Sequence, residues 1–232
     1  MTNEADSIKM KPIRSFVVRS GRMTAGQQRA WDDNWSSMGL ELSDDMSDCT
    51  QTFETKKPLV LEIGFGMGAS LCEMAAQERD KNFIGIEVHR PGVGALLMKA
   101  EEMALENLKV FCEDANDVLG SAIPEKSLNR VQLYFPDPWH KTKHNKRRLV
   151  QEKFVQNIRP KLEIGGVFHM ATDWEPYAKH MMKVMNATEG FRNLSGQVAY
   201  AERPDYRPLT KFEARGQRLG HGVWDLLFER VS

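Results

Sequence analysis

Glu62, Glu87, Asp114 and Asp137 each lie where an apolar run gives way to a turn. Carboxylates so placed can pair with cations, accept from sugar hydroxyls or amino groups, and stabilise positive charge that develops during a reaction. Glu62 directly precedes the glycines Gly64, Gly66 and Gly68 in LVLEIGFGMG, Leu59 to Gly68. Glycines at that spacing permit a tight turn and let a ligand approach the backbone closely. The loop admits two readings. Gly64, Gly66 and Ala69, with Glu87 downstream, satisfy the loose dinucleotide fingerprint. A pyrophosphate, however, would meet Glu62 unfavourably, whereas the ammonium and sulfonium of S-adenosylmethionine would be attracted to it. Glu87 suits ribose hydroxyls, and Asp114, at the end of the run from Leu108 to Cys112, suits an adenine amino group. The competing structural role of each acid is a helix cap or a solvated loop. Three acids at three consecutive strand ends favour the sulfonium cofactor.

Asp137 carries the second signal. In VQLYFPDPWHK it stands between Pro136 and Pro138 with Trp139 beside it. Each proline fixes its own φ and extends the residue before it, so the carboxylate is held stiffly. Open parallel sheets bind ligands beyond the carboxyl ends of their strands, which places Asp137 at a cleft mouth. A carboxylate with an adjacent aromatic suits a flat heterocycle, and a proline-rich turn around a buried tryptophan is the plain structural alternative. The basic run HKTKHNKRR, His140 to Arg148, follows at once and has no acid. Beside a cleft it would meet phosphates; otherwise it is a solvated helix start.

The elements that must position these groups alternate. Apolar patterning predicts strands over residues 59–63, 83–88, 108–112, 130–135, 166–171 and 223–230, with a further one near 197–200. Helices are expected over 69–78, 91–105, 148–159 and 174–187, with Pro91 in a first turn. Such alternation implies an α/β fold with a mainly parallel sheet covered by helices on both faces. Residues 1–57 read as a partly ordered N-terminal extension with basic positions Arg14, Arg19 and Arg22, a short helix through GQQRAWDDNW, and a role in contacting RNA; residues 58–232 read as the main domain.

Composition narrows the class. A chain of 232 residues with 41% hydrophobic content can pack a sizeable core. No apolar run is long enough to span a membrane, and the acidic, weakly apolar start does not read as a targeting peptide, so a cytoplasmic protein is expected. Cys49, Cys72 and Cys112 show no zinc spacing and read as reduced thiols. His140 and His144 lack the partners of a metal motif, so no metal is expected. The net charge of zero, from 32 basic and 32 acidic residues, excludes a generally basic nucleic-acid binder but not a local patch.

The blocks EIGFGMG, GIEVHRPGV, YFPDPWHKTKHNKRR, ATDWEPYA and LTKFEARGQRLGHGVWDL together resemble the bacterial tRNA (guanine-N7-)-methyltransferase family. The PDPWHK block is far more selective than the glycine loop. The resemblance runs from IRSFVVRSGRMTAGQQ to the last strand. It implies a Rossmann-like class I S-adenosylmethionine-dependent methyltransferase with a mainly parallel seven-stranded sheet. It implies methylation of a guanosine N7 in the variable loop of tRNA, giving 7-methylguanosine. It assigns Glu62, Gly64, Gly66, Gly68, Glu87, Asp114 and Asp137 to cofactor, with Asp137 also catalytic, and Lys141, Asp173, Thr210, Lys211, Phe212 and Glu213 to substrate. Lys143, His144, Asn145, Lys146, Arg147 and Arg148 match the stretch that touches RNA. The family includes monomers and homodimers.

The chemistry is consistent with these residue types. Guanine N7 has an exposed lone pair and no proton to lose, so no general base is required and none of the six histidines needs that role. Positioning and charge stabilisation supply the rate. Asp137 suits the orienting role, and Asp173 suits that of a second acceptor or a helix cap. Thr210 and Glu213 have the spacing of a capping box as well as of a substrate contact. An NAD-dependent oxidoreductase and a non-catalytic RNA-binding protein on a nucleotide fold are the competing functions.

Overall fold

The computed structural model describes residues 15–16, 21–43, 46–218 and 222–232. Arg14 and Arg19 lie outside the described residues, as do the side chains of Lys211 and Phe212. In chain order the elements are α1 (Ala25–Met38), β1 (Gly39–Leu40), β2 (Leu59–Ile63), α2 (Ala69–Gln77), β3 (Asn82–Ile86), α3 (Arg90–Glu102), β4 (Leu108–Phe111), α4 (Ala115–Ser121), β5 (Leu128–Tyr134), α5 (Glu152–Ile158), β6 (Leu162–Thr172), α6 (Glu175–Ala187), β7 (Phe191–Asn193), α7 (Lys211–Arg218) and β8 (Trp224–Arg230). Short 3-10 turns cover Cys49–Thr52, Thr142–Arg147 and Arg159–Lys161.

The strands form one sheet in the order β1-β4-β3-β2-β5-β6-β8-β7. All pairings from β1 through β6 are parallel, and β8 runs antiparallel to both β6 and β7. The strand count is eight, where seven were expected, because Gly39–Leu40 adds an edge strand on β4. Two residues following a helix carry no alternation that a sequence pattern could detect. The strand expected near 197–200 is β7, at Phe191–Asn193, while Ala201 makes only an isolated bridge to Asp225.

The sheet splits the core in two. Leu61, Ile84, Phe111, Val131, Phe168 and Phe228 pack on one face with α4, α5 and α6 residues such as Val118, Val155 and Met181. Val60, Phe83 and Val110 pack on the other with Leu71 and Met74 of α2 and Leu96 and Leu97 of α3. Strands buried on both faces explain the nearly unbroken apolar runs. Helix α1 starts in a capping box, with Thr24 and Gln27 bonding reciprocally. It lies against α3, where Trp31 stacks on Trp35 and Arg90 covers Trp31 at 4.5 Å. Among the described residues no helix is long and apolar enough to cross a membrane.

Candidate functional site

The order of the parallel strands arranges the acids read from the sequence in a row. Passing from β4 through β3, β2 and β5 to β6, the carboxyl ends carry Asp114, Glu87, Glu62, Asp137 and Asp173. The chain leaves β2 toward β3 on one side, whereas β5 lies on its other side, so the row is centred on the topological switch point. Two cavities open there. One, of about 360 Å³, is lined by Gly64, Glu87, Asp114, Phe135 and Asp137 among others. Its neighbour, of about 880 Å³, is lined by Glu62, the three loop glycines, Arg207 and Thr210. Gly64, Tyr134 and Phe135 belong to both.

Local backbone demands explain the glycine loop. Gly64, Gly66 and Gly68 adopt φ of 75°, 61° and 75°, a region that costs other residues about 1–2 kcal/mol. Gly68 is the N-cap of α2, and a Cβ there would strike the Leu96 side chain. A Cβ on Gly92 would sit 2.2 Å from the Gly66 carbonyl oxygen, so α3 is pressed against the loop. Glu87 braces the same turn. Its Oε2 accepts from the Gly66 amide at 2.9 Å, and its Oε1 accepts from Val88 and His89 amides. Three of the roughly four acceptor sites of the carboxylate are thus used, and the one left on Oε2 can take a hydroxyl.

Glu62 is only 3% exposed, and its Oε2 has no hydrogen-bond partner. An unpaired buried polar atom costs about 1–3 kcal/mol, so the site is built for a donor. Burial raises the Glu62 carboxyl to about 8; Arg130 opposes the shift and Glu87 adds to it. Asp114 caps α4 through the Asn116 amide at 2.9 Å while also facing the first cavity.

The Asp137 loop is fastened from several sides. Phe135 and Trp139 have φ of 50° and 46°, conformations that only a well-determined surrounding maintains. The Phe135 amide donates to Ala171, Arg148 Nε donates to the Pro138 carbonyl, and Trp139 Nε1 donates to the Ser15 carbonyl. The Arg147 guanidinium lies 3.8 Å from the Trp139 ring. The structure therefore does not present the basic run as a uniform patch. Lys141, Lys143 and Lys146 are exposed and His144, Asn145 and Arg147 partly so, but Arg148 is buried beneath the loop that it supports. Lys141 precedes the 3-10 turn Thr142–Arg147, and α5 starts at Glu152, later than expected, because Arg148 (ψ 134°) and Gln151 (ψ 161°) are not helical.

Asp173 does not cap α6; Trp174 occupies the cap position, with no side-chain cap bond. Thr210 does cap α7, accepting from the Glu213 amide at 3.0 Å. Glu213 is buried, and both its oxygens accept from Arg207 at 2.7 and 2.8 Å.

Arg207 belongs to a buried polar cluster that pattern reading missed. It is 1% exposed and also donates to both oxygens of Asp225. Asp225 accepts from His169 Nε2 at 2.7 Å, while Nδ1 lies 2.9 Å from the hydroxyls of both Tyr134 and Tyr206. Burial lowers the His169 pKa despite Asp225, so the ring is neutral. Donation from Nε2 then makes Nδ1 an acceptor, whose single lone pair faces both hydroxyls. Burial raises Tyr206 to about 12 and raises Tyr134 as well, so both keep their protons. The cluster thereby holds Tyr134, a wall of both cavities. His169, Gln132 and Asp225 inside apolar strands were the available signal, since buried polar residues need partners. Nothing local in YRPLT marks Arg207 as buried.

Among the described residues no group of His, Cys, Asp or Glu has the arrangement of a metal site. A family model described as a putative methyltransferase matches residues 56–226. A tRNA (guanine-N(7)-)-methyltransferase of Serratia proteamaculans is 62% identical over 221 residues, covering 95% of this chain and 92% of its own. The protein of that name from Pectobacterium atrosepticum is 61% identical over 223 residues, covering 96% and 93%. Among solved structures, the 16S rRNA methyltransferase KamB aligns with a TM-score of 0.58 at 15% identity, covering 83% of this chain and 96% of its own. A SAM-dependent methyltransferase from Aquifex aeolicus aligns with a TM-score of 0.52 at 15% identity, covering 75% and 84%. At such identities the likeness concerns the fold.

Proposed function

Because this chain belongs to the tRNA (guanine-N(7)-)-methyltransferase family, we propose that the carboxylate row binds S-adenosylmethionine and a variable-loop guanosine of tRNA, and that Asp137 orients the reacting base. The protein transfers a methyl group from S-adenosylmethionine to N7 of guanosine in tRNA. The placement of Glu87, Asp114 and Asp137 on one cavity wall carries the assignment of residues. The unpartnered Glu62 oxygen and the open space around Gly64 and Gly66 fit the cofactor. Glu62 would hold its ammonium, Glu87 its ribose and Asp114 its adenine amino group. A pyrophosphate would instead face Glu62, so a nicotinamide dinucleotide fits poorly.

When bound, the cofactor supplies an electrophilic methyl group on a sulfonium. Guanine N7 would take the methyl group with its lone pair as the carbon–sulfur bond breaks and a neutral thioether leaves; no proton is lost, so the residues need only hold the two in line. Asp137 accepts from the guanine N1–H and exocyclic amine and faces the positive charge arriving on the ring. Asp173, on the neighbouring strand end and not engaged as a cap, supplies a second acceptor. The exposed lysines Lys141, Lys143 and Lys146 meet phosphates beside the cleft. The protein acts in the cytoplasm, where tRNA is modified.

The product is the decisive test. Incubation with bulk tRNA and labelled cofactor, followed by digestion and mass spectrometry, is expected to yield 7-methylguanosine. Borohydride and aniline treatment is expected to cut the RNA within the variable loop. A methyl group on another atom, or cleavage elsewhere, overturns the reading.

Glu62 provides an independent check on the cofactor site. Its folded pKa lies above the ordinary carboxyl value, so its contribution to stability is present at acid pH and is lost as pH rises through about 8. An ammonium beside it reverses that preference and favours the carboxylate. Binding near pH 7 is therefore expected to release about one proton and to strengthen as pH rises toward 8. Calorimetry in buffers of different ionisation enthalpy measures the release, which Glu62→Gln is expected to remove. Equal proton release by both proteins refutes the pairing.

A further inference from the structure

A base can reach a protein cleft only after leaving its stack, and proteins stabilise the extruded base on an aromatic face. The sequence singles out Trp139 for that task, but the structure has already committed it. Arg147 covers its ring at 3.8 Å, His144 meets it at right angles at 5.9 Å, and its N–H is bonded to Ser15. Trp174 is different. It is 38% exposed, yet it stands at the carboxyl end of β6 directly after Asp173.

Its place is set by register. Tyr134 of β5 pairs with Ala171 of β6, and Asp137 and Trp174 each follow their strand's member of that pair by three residues. The His140 ring contacts Trp174 at 4.5 Å between centroids and 87° between planes. The indole is thus held toward the loop that carries Asp137. Behind it, the Trp174 amide donates to Thr172 Oγ1, and the first turn of α6 is anchored by buried Tyr177, whose hydroxyl accepts from the Val150 amide.

We infer that Trp174 is the stacking face for the reacting guanine, with Asp137 and Asp173 reading its edge. This rests on the functional reading above. It also adds a contribution to the chemical step. Methylation at N7 leaves a cationic purine, and an indole face attracts a cation more strongly than other aromatic rings do. The same contact is therefore stronger to the methylated ring than to the neutral one, which favours the transition state.

The test compares Trp174→Ala and Trp174→Phe with the native protein in single-turnover methylation of tRNA, with cofactor affinity and thermal midpoint measured in parallel. Trp174→Ala is expected to slow methyl transfer about tenfold to a hundredfold, with cofactor affinity and midpoint unchanged. Trp174→Phe is expected to restore most of the rate. The preference for methylated over unmodified tRNA is expected to fall in Trp174→Ala. A native rate in Trp174→Ala, or a loss of cofactor binding and stability together with rate, overturns the stacking role. If the native protein transfers no methyl group to tRNA, the functional reading itself fails, and the stacking role with it.

Discussion

Asp137→Asn is expected to lower the single-turnover rate of methyl transfer by about a hundredfold to a thousandfold. The fold and most of the cofactor affinity should be retained. The reason lies in how the loop is fastened. Phe135, Pro138 and Trp139 are each tied to other segments through hydrogen bonds that do not involve the Asp137 side chain. Asparagine can therefore occupy the same position with the same shape. What it removes is a fixed negative charge beside a ring that becomes cationic, and it replaces one acceptor oxygen with a donor. Rapid-quench methylation with enzyme in excess isolates this step. A near-native rate would reduce Asp137 to a turn residue. Equal losses of rate and of cofactor affinity would shift its role to the cofactor.

Arg207→Met is expected to destabilise the fold by about 3–5 kcal/mol, measured by urea unfolding, and to slow methyl transfer. Arg207 is the only cation between Glu213 and Asp225 in the described ion pairs of this cluster. Its removal strands two buried carboxylates and loosens the start of α7, where Thr210 faces the larger cavity. It also frees the Asp225 end of the chain of bonds that fixes His169 and Tyr134. Neutralising the cluster with Glu213→Gln and Asp225→Asn on the Arg207→Met background should recover part of the stability, because the stranded charges are then gone. A loss below about 1 kcal/mol for Arg207→Met, at the level of an exposed pair, would show that the cluster contributes little.

Glu213 shows where reading by resemblance meets its physical limit. Its match to a substrate-binding motif says that the position matters. Both its oxygens are bonded to Arg207, so in this structure it acts on the site through Arg207 and the cap of α7. Arg148 is similar. In the sequence it is one more cation in a basic run, and in the structure it supports the Pro138 carbonyl from below.

The sequence by itself determined the alternation of strands and helices, the glycine turn after β2, and the acids at the strand ends. These depend on short-range causes: side-chain periodicity, the left-handed φ open to glycine, and the stiffness of prolines around Asp137. It also determined the chemistry, because an acid before a glycine loop favours a cationic cofactor over a pyrophosphate. Only the tertiary structure decided which residues are free to act. Trp139 and Trp174 are the same side chain in the sequence, but one is engaged by Arg147 and Ser15 and the other stays 38% exposed beside His140. His169 and Asp225 are far apart in the chain and meet because β6 and β8 are neighbours in the sheet, and Arg207 joins them from the segment before α7. Burial makes such polar groups seek one another, and which partner each finds depends on strand order, a property of the folded chain as a whole.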